Sequence, residues 1–374
     1  MITKLGTVIT EYSVRNKSKE NIPVYSVTNE QGFCTGYFSK EVASKDRTTY
    51  KIVPQGYFAY NPSRINVGSV DWQDCEERVI VSPLYVVFGV DKKLDQQYLL
   101  HYLKSDIART YINALATGSV RDNLKFSVLQ ELPINLRPID EQRKLASVLD
   151  YVDSVIGLRN EELSTLDTLV KSRFVELFGD PVSNPKDWNI EPLGKRCGII
   201  TGNTPPRSEP ENYGKYIEWI KSDNINTPFT FITKAQECLS EAGFEKCRFV
   251  EAGSILMTCI AGSIDCIGNV VVTDRRVAFN QQINAIVPEQ DEVLYLYWLM
   301  QLSKPMIHRT INMALKGILS KSQLSEIVFP FPPITLQEQF VAFVEQTDKS
   351  KLAVQKSLEE LEILKKSLMQ QYFG

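Results

Sequence analysis

The chain has 374 residues, 43% hydrophobic and 23% charged, with a formal net charge of −3, the composition of a globular protein long enough for two cores. No apolar run reaches the roughly 18–20 residues needed to cross a bilayer, and the start Met1-Ile-Thr-Lys-Leu-Gly lacks a signal-peptide core. The slightly acidic balance by itself argues against a nucleic-acid protein, and the scattered seven cysteines, with no CxxC and only His101 and His308, exclude an obvious zinc site or disulfide framework.

Residues 1–138 read as short β-rich runs broken by Gly, Pro, Asn and Ser, then a helix and a final strand. Tyr50-Lys-Ile-Val-Pro and Arg78-Val-Ile-Val-Ser-Pro-Leu-Tyr-Val-Val-Phe are strand-like, and residues 95–115 are expected to form one helix. The region closes on the apolar segment Leu132-Pro-Ile-Asn-Leu-Arg-Pro-Ile. It holds 17 Lys and Arg against 14 Asp and Glu.

Residues 139–178 read as one long helix. Pro138 precedes its first turn, and Asp140 and Glu141 sit where the helix dipole favours negative charge. A heptad-like stripe follows at Leu145, Leu149, Val152, Ile156, Leu163, Leu166 and Val170, interrupted by Arg159 and locally weakened by Gly157. Gly179-Asp180-Pro181 is a stop signal.

Residues 180–333 repeat the first pattern with different words. Gly253-Ser-Ile-Leu-Met-Thr and Asn269-Val-Val-Val-Thr are strand-like, a helix is expected near 291–313, and Ile327-Val-Phe-Pro-Phe-Pro-Pro-Ile closes the region. Residues 334–374 form a second long helix, with a stripe at Phe340, Val344, Thr347, Lys351, Val354, Leu358, Leu361, Leu368 and Tyr372.

The two helical segments are copies. Residues 129–179 and 324–374 align without a gap at a spacing of 195 (333 − 138). Gln142 matches Gln337, Asp153 matches Asp348, and Phe178–Gly179 matches Phe373–Gly374. Neither helix is apolar all round, so each needs a partner along one stripe, and the economical partner is the other copy, packed antiparallel. The fold class expected is α+β: two globular domains (1–138 and 180–333) alternating with two long helices (139–179 and 334–374) packed as an antiparallel coiled coil.

Several chemistries are missing. No GxxxxGK phosphate loop and no strand-bound GxGxxG is present. Asn61-Pro62-Ser63-Arg64 and Thr204-Pro205-Pro206-Arg207 lack the aromatic of an amino-methyltransferase loop, and two distant histidines cannot build a triad. The chain reads as a binding protein with no catalytic residues and no metal ligands.

At the repeated helices and their flanks the sequence resembles the specificity subunit of Type I restriction–modification systems. The resemblance rests on Pro138-Ile-Asp-Glu-Gln and Pro333-Ile-Thr-Leu-Gln-Glu-Gln, on Asp153 and Asp348, and on the leucine stripes ending in Phe-Gly. Thr201-Gly-Asn-Thr-Pro, Trp219-Ile-Lys-Ser-Asp-Asn-Ile, Gly253-Ser-Ile-Leu-Met, Asn280-Gln-Gln-Ile and Tyr60-Asn-Pro-Ser-Arg add to it. It implies a protein with two target-recognition domains, and the scattered free thiols fit a reducing cytoplasm. Each would read one half of a split, asymmetric site in double-stranded DNA, with the coiled coil setting their separation. It also implies two modification (adenine methyltransferase) subunits as partners, with restriction subunits joining afterwards. S-adenosylmethionine, ATP and Mg²⁺ would belong to those partners, and no cofactor to this chain.

Base readout needs Arg, Lys, Asn or Gln at groove edges, and phosphate positioning needs small polar and basic groups on loops. The first domain offers Tyr60, Asn61, Ser63 and Arg64, and more weakly Arg15, Lys17 and Arg121. The second offers Thr204, Arg207, Lys221, Asp223, Gln281, Gln282 and Lys316. Each alone reads first as an ordinary solvated surface residue or turn, and only second as a DNA contact. Asn61-Pro62 reads also as a plain turn, Asn280-Gln281-Gln282 as satisfying buried backbone groups, and Trp219 and Trp298 as core. Gln142, Asp153, Gln337 and Asp348 are expected outward, as contacts for methyltransferase subunits or as capping and solubilising groups. Two other functions stand beside DNA specificity: an enzyme of the same system whose catalytic region lies elsewhere, and a protein-binding scaffold.

Overall fold

The computed structural model describes residues 2–17, 20–36, 47–115, 123–311 and 317–374. The chain divides into two compact units, residues 1–161 with 355–374, and residues 162–354. Each unit therefore holds one globular region and one stretch of each long helix.

In the first unit, Ile2–Lys4 pairs antiparallel with Pro133–Asn135, so the globular region is stitched shut immediately before the long helix. Its main sheet has four antiparallel strands, in the order Ile9–Glu11, Val86–Val90, Phe58–Tyr60 and Val70–Trp72. The strands are rich in β-branched and aromatic residues, which fit a pleated surface covered on both faces. Phe58 lies opposite Phe88 in the register, and their rings stack at 5.0 Å.

Two expectations for this unit are corrected. The single helix over 95–115 is two helices, Gln96–Lys104 and Asp106–Leu115. Ser105 breaks it with an extended ψ of 154° and caps the next helix by accepting from the Ala108 amide at 3.2 Å. That is the competition between serine and the helix backbone that makes serine a capping residue. The single run over 78–88 is two strands, Arg78–Val81 and Val86–Val90, in different sheets. Pro83 cannot donate to a ladder, and the Tyr85 amide folds back to the Ser82 carbonyl at 3.1 Å.

The second unit follows the same plan. Ile190–Pro192 pairs with Val328–Pro330. The main sheet runs Cys197–Thr201, Ile283–Pro288, Ile255–Thr258, Val270–Val272. Val293–Leu302 and Lys304–Arg309 replace the one helix expected over 291–313, with Pro305 in the first turn of the second, where a missing N–H costs nothing. A further mixed sheet runs in the order Cys238–Leu239, Tyr213–Ile220, Val277–Phe279, Phe249–Val250, and among the described residues the first unit has no counterpart.

The long helices span Ile139–Phe178 and Ile334–Phe373, 40 residues each. The first ends at Gly179, whose φ of 80° is left-handed and whose Cβ, if present, would meet Pro185 Cγ at 2.7 Å. Its last carbonyls are taken by Trp188 Nε1 on Phe178 O (2.9 Å) and by Lys186 Nζ on Glu176 O (2.6 Å), groups a helix end otherwise leaves open.

Within each unit the two helices run antiparallel. In the first, Asp153 pairs with Lys365, and Arg137 Nη2 reaches the Tyr372 carbonyl at 3.5 Å. In the second, Lys351 meets Asp167 at 2.7 Å and Phe174 meets Phe340 at 5.4 Å between ring centres. Of the expected stripe, Leu149, Val152, Val170, Val344 and Val354 are buried. Leu145, Ile156, Leu163, Leu166, Leu358, Leu361 and Leu368 are partly buried. Aromatic residues at the helix ends carry much of the packing. Phe373 lies against Tyr98 (5.1 Å) and Tyr102 (5.7 Å), and Phe178 against Tyr295 (4.9 Å). Fully burying such a side chain contributes about 1.5–3 kcal/mol.

Candidate nucleic-acid interface

In the first unit, the residues after Phe58–Tyr60 form a tight polar turn. Asn61 Oδ1 accepts from the Ser63 amide at 3.1 Å, and the Arg64 amide donates to Asn61 O at 3.0 Å, an Asx turn that proline at 62 favours. Ser63 Oγ bonds Asn123, and the Leu124 amide donates to Pro62 O at 3.0 Å, so the turn is tied to the segment from Asn123. Ser63 and Arg64 are exposed and Asn61 is partly exposed. Beside the turn lies an open cleft of about 520 Å³ whose lining includes Glu11, Asn61, Ser63, Leu84, Asn123 and Lys125. Arg15 and Lys17 are exposed on a separate loop, and Arg121 lies outside the described residues.

Tyr60 does not belong to this surface. It is wholly buried, and its hydroxyl donates to the Leu124 carbonyl at 3.0 Å. Burial pushes its pKa far above the usual tyrosine value. The strand is covered on both faces, so alternation does not turn this side chain to solvent.

In the second unit the corresponding end of the main sheet gathers Thr204, Gln281 and Gln282. Gly202 makes this possible: a Cβ there would sit 2.2 Å from the Asn280 carbonyl oxygen. The Gly202 amide donates to Ile283 O at 3.0 Å, and Thr204 Oγ1 bonds Gln281 Oε1. Gln281 is exposed, while Gln282 is partly buried. Both the readings open for Asn280–Gln282 are used. Asn280 Oδ1 accepts from the Gln282 amide at 3.0 Å and the Gln282 carbonyl accepts from Cys259 N at 2.8 Å, while Gln281 projects outward. Trp219 and Trp298 are core, each no more than 5% exposed. Lys316 lies outside the described residues.

The Asn280 amide bonds Ile220 O at 3.1 Å, which brings the start of Lys221–Asp223 beside Gln281. Asp223 is exposed and makes no described side-chain bond that ties it to the cluster. Arg207 and Lys221 converge on Glu237, a residue the sequence did not single out. Arg207 also lies over the rings of Tyr213 (4.6 Å) and Trp219 (5.2 Å), and Lys221 over Trp219 at 5.2 Å. Arg207, first, and then Lys221 hold the Glu237 carboxyl below the ordinary range despite its partial burial. Arg248 and Lys246 join the rim: Arg248 Nη1 donates to Thr201 O at 2.6 Å, and Lys246 Nζ to Glu209 at 2.8 Å. No signal in the sequence marks Glu237, because its partners lie 30 and 16 residues away and meet it only when Cys238–Leu239 pairs with Tyr213–Ile220.

The two sheet ends are equivalent places. Phe58 stands opposite Phe88 and Trp72, as Ile255 stands opposite Ile286 and Val272. The amide of Leu124 bonds Pro62 O at 3.0 Å, and that of Leu319 bonds Cys259 O at 2.9 Å. One scaffold position thus presents Asn61-Pro-Ser-Arg in one unit and, a strand across, Gln281 and Thr204 in the other. Groups suited to hydrogen-bonding base edges and phosphates gather there, and among the described residues no three His, Cys, Asp or Glu side chains are placed to hold a metal.

The expected outward glutamines are also corrected. Gln142 and Gln337 are fully buried. Gln142 Oε1 accepts from Asp95 N (2.9 Å) and its Nε2 donates to Lys93 O (2.8 Å) and Arg137 O (2.7 Å). Gln337 Oε1 accepts from Glu292 N (2.9 Å) and its Nε2 donates to Asp291 Oδ1 (2.8 Å) and Pro332 O (3.0 Å). Each satisfies polar groups where a long helix starts against its globular region, which is why both copies keep a neutral amide. Asp153 and Asp348 are partly buried; Asp153 pairs with Lys365 on the opposite helix, and Asp348 with Lys351 one turn on along its own helix.

Two globular units built alike, differing in the loops at one sheet end and joined to paired long helices, define a modular recognition protein. A family model for the type I restriction modification DNA specificity domain matches residues 4–168 and again 185–363, and the chain belongs to that family. It is 23% identical over 357 residues to the putative type I restriction enzyme MjaX specificity subunit of Methanocaldococcus jannaschii, spanning 89% of this chain and 80% of that protein. It is 30% identical over 178 residues to the HindI specificity subunit of Haemophilus influenzae, spanning 42% of this chain and 37% of that one. Among solved structures, the fold resembles a chain from a study of assembly and conformational transition of the type I R-M system (TM-score 0.61, 19% identity, 100% of this chain and 97% of the other). It also resembles the Type-I restriction-modification S subunit of M. genitalium (TM-score 0.57, 16% identity, 100% and 96%). Among the described residues no helix is long and apolar enough to cross a membrane.

Proposed function

We propose that this chain is the DNA-specificity subunit of a type I restriction–modification complex and is not itself catalytic. The observation that carries the reading is the repeated scaffold with unlike loops: two equivalent sheet ends offer different hydrogen-bonding groups, as two unlike half-sites require. In this reading each unit reads one half of a bipartite site, the long helices set the gap, and two modification subunits dock on the chain before restriction subunits join. S-adenosylmethionine is held by the modification subunits, and ATP and Mg²⁺ by the restriction subunits.

The test is a map of methylated adenines in the host genome with the gene intact and deleted. The expected result is loss of one split motif with two unlike halves and a fixed gap. An unchanged methylome with the gene expressed, together with no salt-dependent DNA affinity of the purified chain, would replace this reading by the protein-scaffold one. The ruler has its own check. Removing seven residues from each long helix should shorten the gap and leave both half-sites intact, and altered half-sites would sink it.

A further inference from the structure

We infer that Glu237 is a positioning residue that fixes Arg207 as a reader of guanine in the half-site recognised by the second unit; this rests on the DNA-specificity reading above. The geometry is that of a buttressed guanidinium. Glu237 takes both terminal nitrogens of Arg207, with Nη2 to Oε2 at 3.2 Å, and also takes Lys221 Nζ. Below the cations lies Trp219, 2% exposed and packed in the core, with Tyr213 beside it.

A free arginine has many rotamers and pays to order one. An arginine held at once by a carboxylate fork and by aromatic faces has paid that cost before the ligand arrives. Its guanidinium carries five donors. The carboxylate fork leaves donors over, and a pair of them matches O6 and N7 of guanine in the major groove, the base that arginine reads best. The placement agrees. Arg207 follows Thr204 by three residues, and Lys221 follows Ile220, whose carbonyl accepts from Asn280, the neighbour of Gln281. The acidic residue is thereby explained. A carboxylate on a DNA-facing surface repels phosphate, and Glu237 is neutralised by two cations that it aims.

The backbone at Glu237, just before the Cys238–Leu239 strand, ties the arrangement together. The Trp219 amide donates to the Glu237 carbonyl at 3.1 Å, so carboxylate and aromatic platform are fixed to one another through the backbone. The Arg207 side chain is still 57% exposed, which leaves it accessible to a groove.

The test uses the full chain and a randomised duplex library, selecting bound sequences for the wild type, Glu237→Gln, Arg207→Ala and Arg207→Lys, and mapping genomic adenine methylation in strains carrying the same variants. Glu237→Gln keeps shape and removes the fork's charge, and Arg207 is exposed, so each variant is expected to melt with the wild type. The expected result is loss of preference for one guanine, about ten- to a hundredfold, at the same single position in all variants. The loss should be confined to one half-site, with the other half and the gap unchanged. A wild-type motif that survives in all variants overturns the inference alone, as does a uniform loss of affinity at every position, which would make Arg207 a phosphate contact. A wild-type chain that selects no split motif overturns the inference together with the proposed function.

Discussion

Replacing Gln142 with leucine should destabilise the first unit strongly while keeping its volume. The side chain is fully buried and makes three hydrogen bonds, to Asp95 N, Lys93 O and Arg137 O. Leucine fills the space and leaves one N–H and two C=O groups facing it. A buried polar group without a partner costs about 1–3 kcal/mol. Some of the three will regain water, so the sum is about 3–5 kcal/mol. In a unit of 181 residues (161 + 20), 1 kcal/mol shifts Tm by about 2–4 °C, giving a drop of about 6–20 °C. Scanning calorimetry that resolves the two units is the assay, since a chain of two units need not melt in one step. Gln337→Leu should do the same to the second unit, with Asp291 retaining Arg196. A shift below about 2 °C, with loss of partner binding, would refute the buried capping role and restore an outward one.

Phe373→Ala removes the ring packed on Tyr98 and Tyr102 and should cost the first unit about 3–5 kcal/mol, read by urea unfolding. Arg196→Met removes the cation from the buried carboxylate of Asp291, which keeps the Gln337 amide alone, and should cost about 3 kcal/mol. The double change Arg196→Met with Asp291→Leu should recover part of it, because Leu94 already fills the matching place in the first unit, while the bond from Gln337 Nε2 to Asp291 is lost; an equal cost for both would count against the pair being exchangeable. Burial lowers the pKa of His101 even though Asp150 lies 2.8 Å from Nε2. The folded state therefore binds fewer protons than the unfolded one. Stability should fall as pH drops through about 6.5 and level off below the lowered value, a slope that His101→Gln should remove in unfolding measured from pH 5 to 8.

The long helices were legible because their signals are local and redundant. Pro138 opens one, Gly179 closes it at a left-handed φ, and a heptad stripe joins them. The helix breaks were not. Ser105 looks like any polar residue in a helical run, and it acts as a cap only because its hydroxyl is fully buried at the joint, where it bonds Tyr102 O and Ala108 N. Tyr60 failed for a related reason. Its neighbours Asn61, Ser63 and Arg64 form the polar turn, and the sequence does not say that the strand ends one residue earlier with that ring inside. Arg207 and Lys221 were visible as cations on a loop, whereas Glu237 required the sheet pairing.

The repeat then has a physical reason to stop where it does. Each long helix begins against its own globular region, through Gln142 or Gln337, and ends with a phenylalanine packed in the other unit: Phe178 on Tyr295, and Phe373 on Tyr98. Tyr98 and Tyr295 are themselves anchored alike, their hydroxyls donating to Asn135 O (2.9 Å) and Pro330 O (2.7 Å). These contacts must fit a shared template, so the helix and closing-strand residues making them recur at a spacing of 195 (337 − 142; 373 − 178; 330 − 135), and the tyrosines they meet, which lie outside the ungapped copies, at 197 (295 − 98). Among the described residues, the named side chains of the sheet-end loops take part in none of these hydrogen bonds or ring contacts. They are free to carry Asn61, Ser63 and Arg64 in one unit and Thr204, Arg207 and Gln281 in the other, so the two units can diverge in what they read without altering how the helices are held.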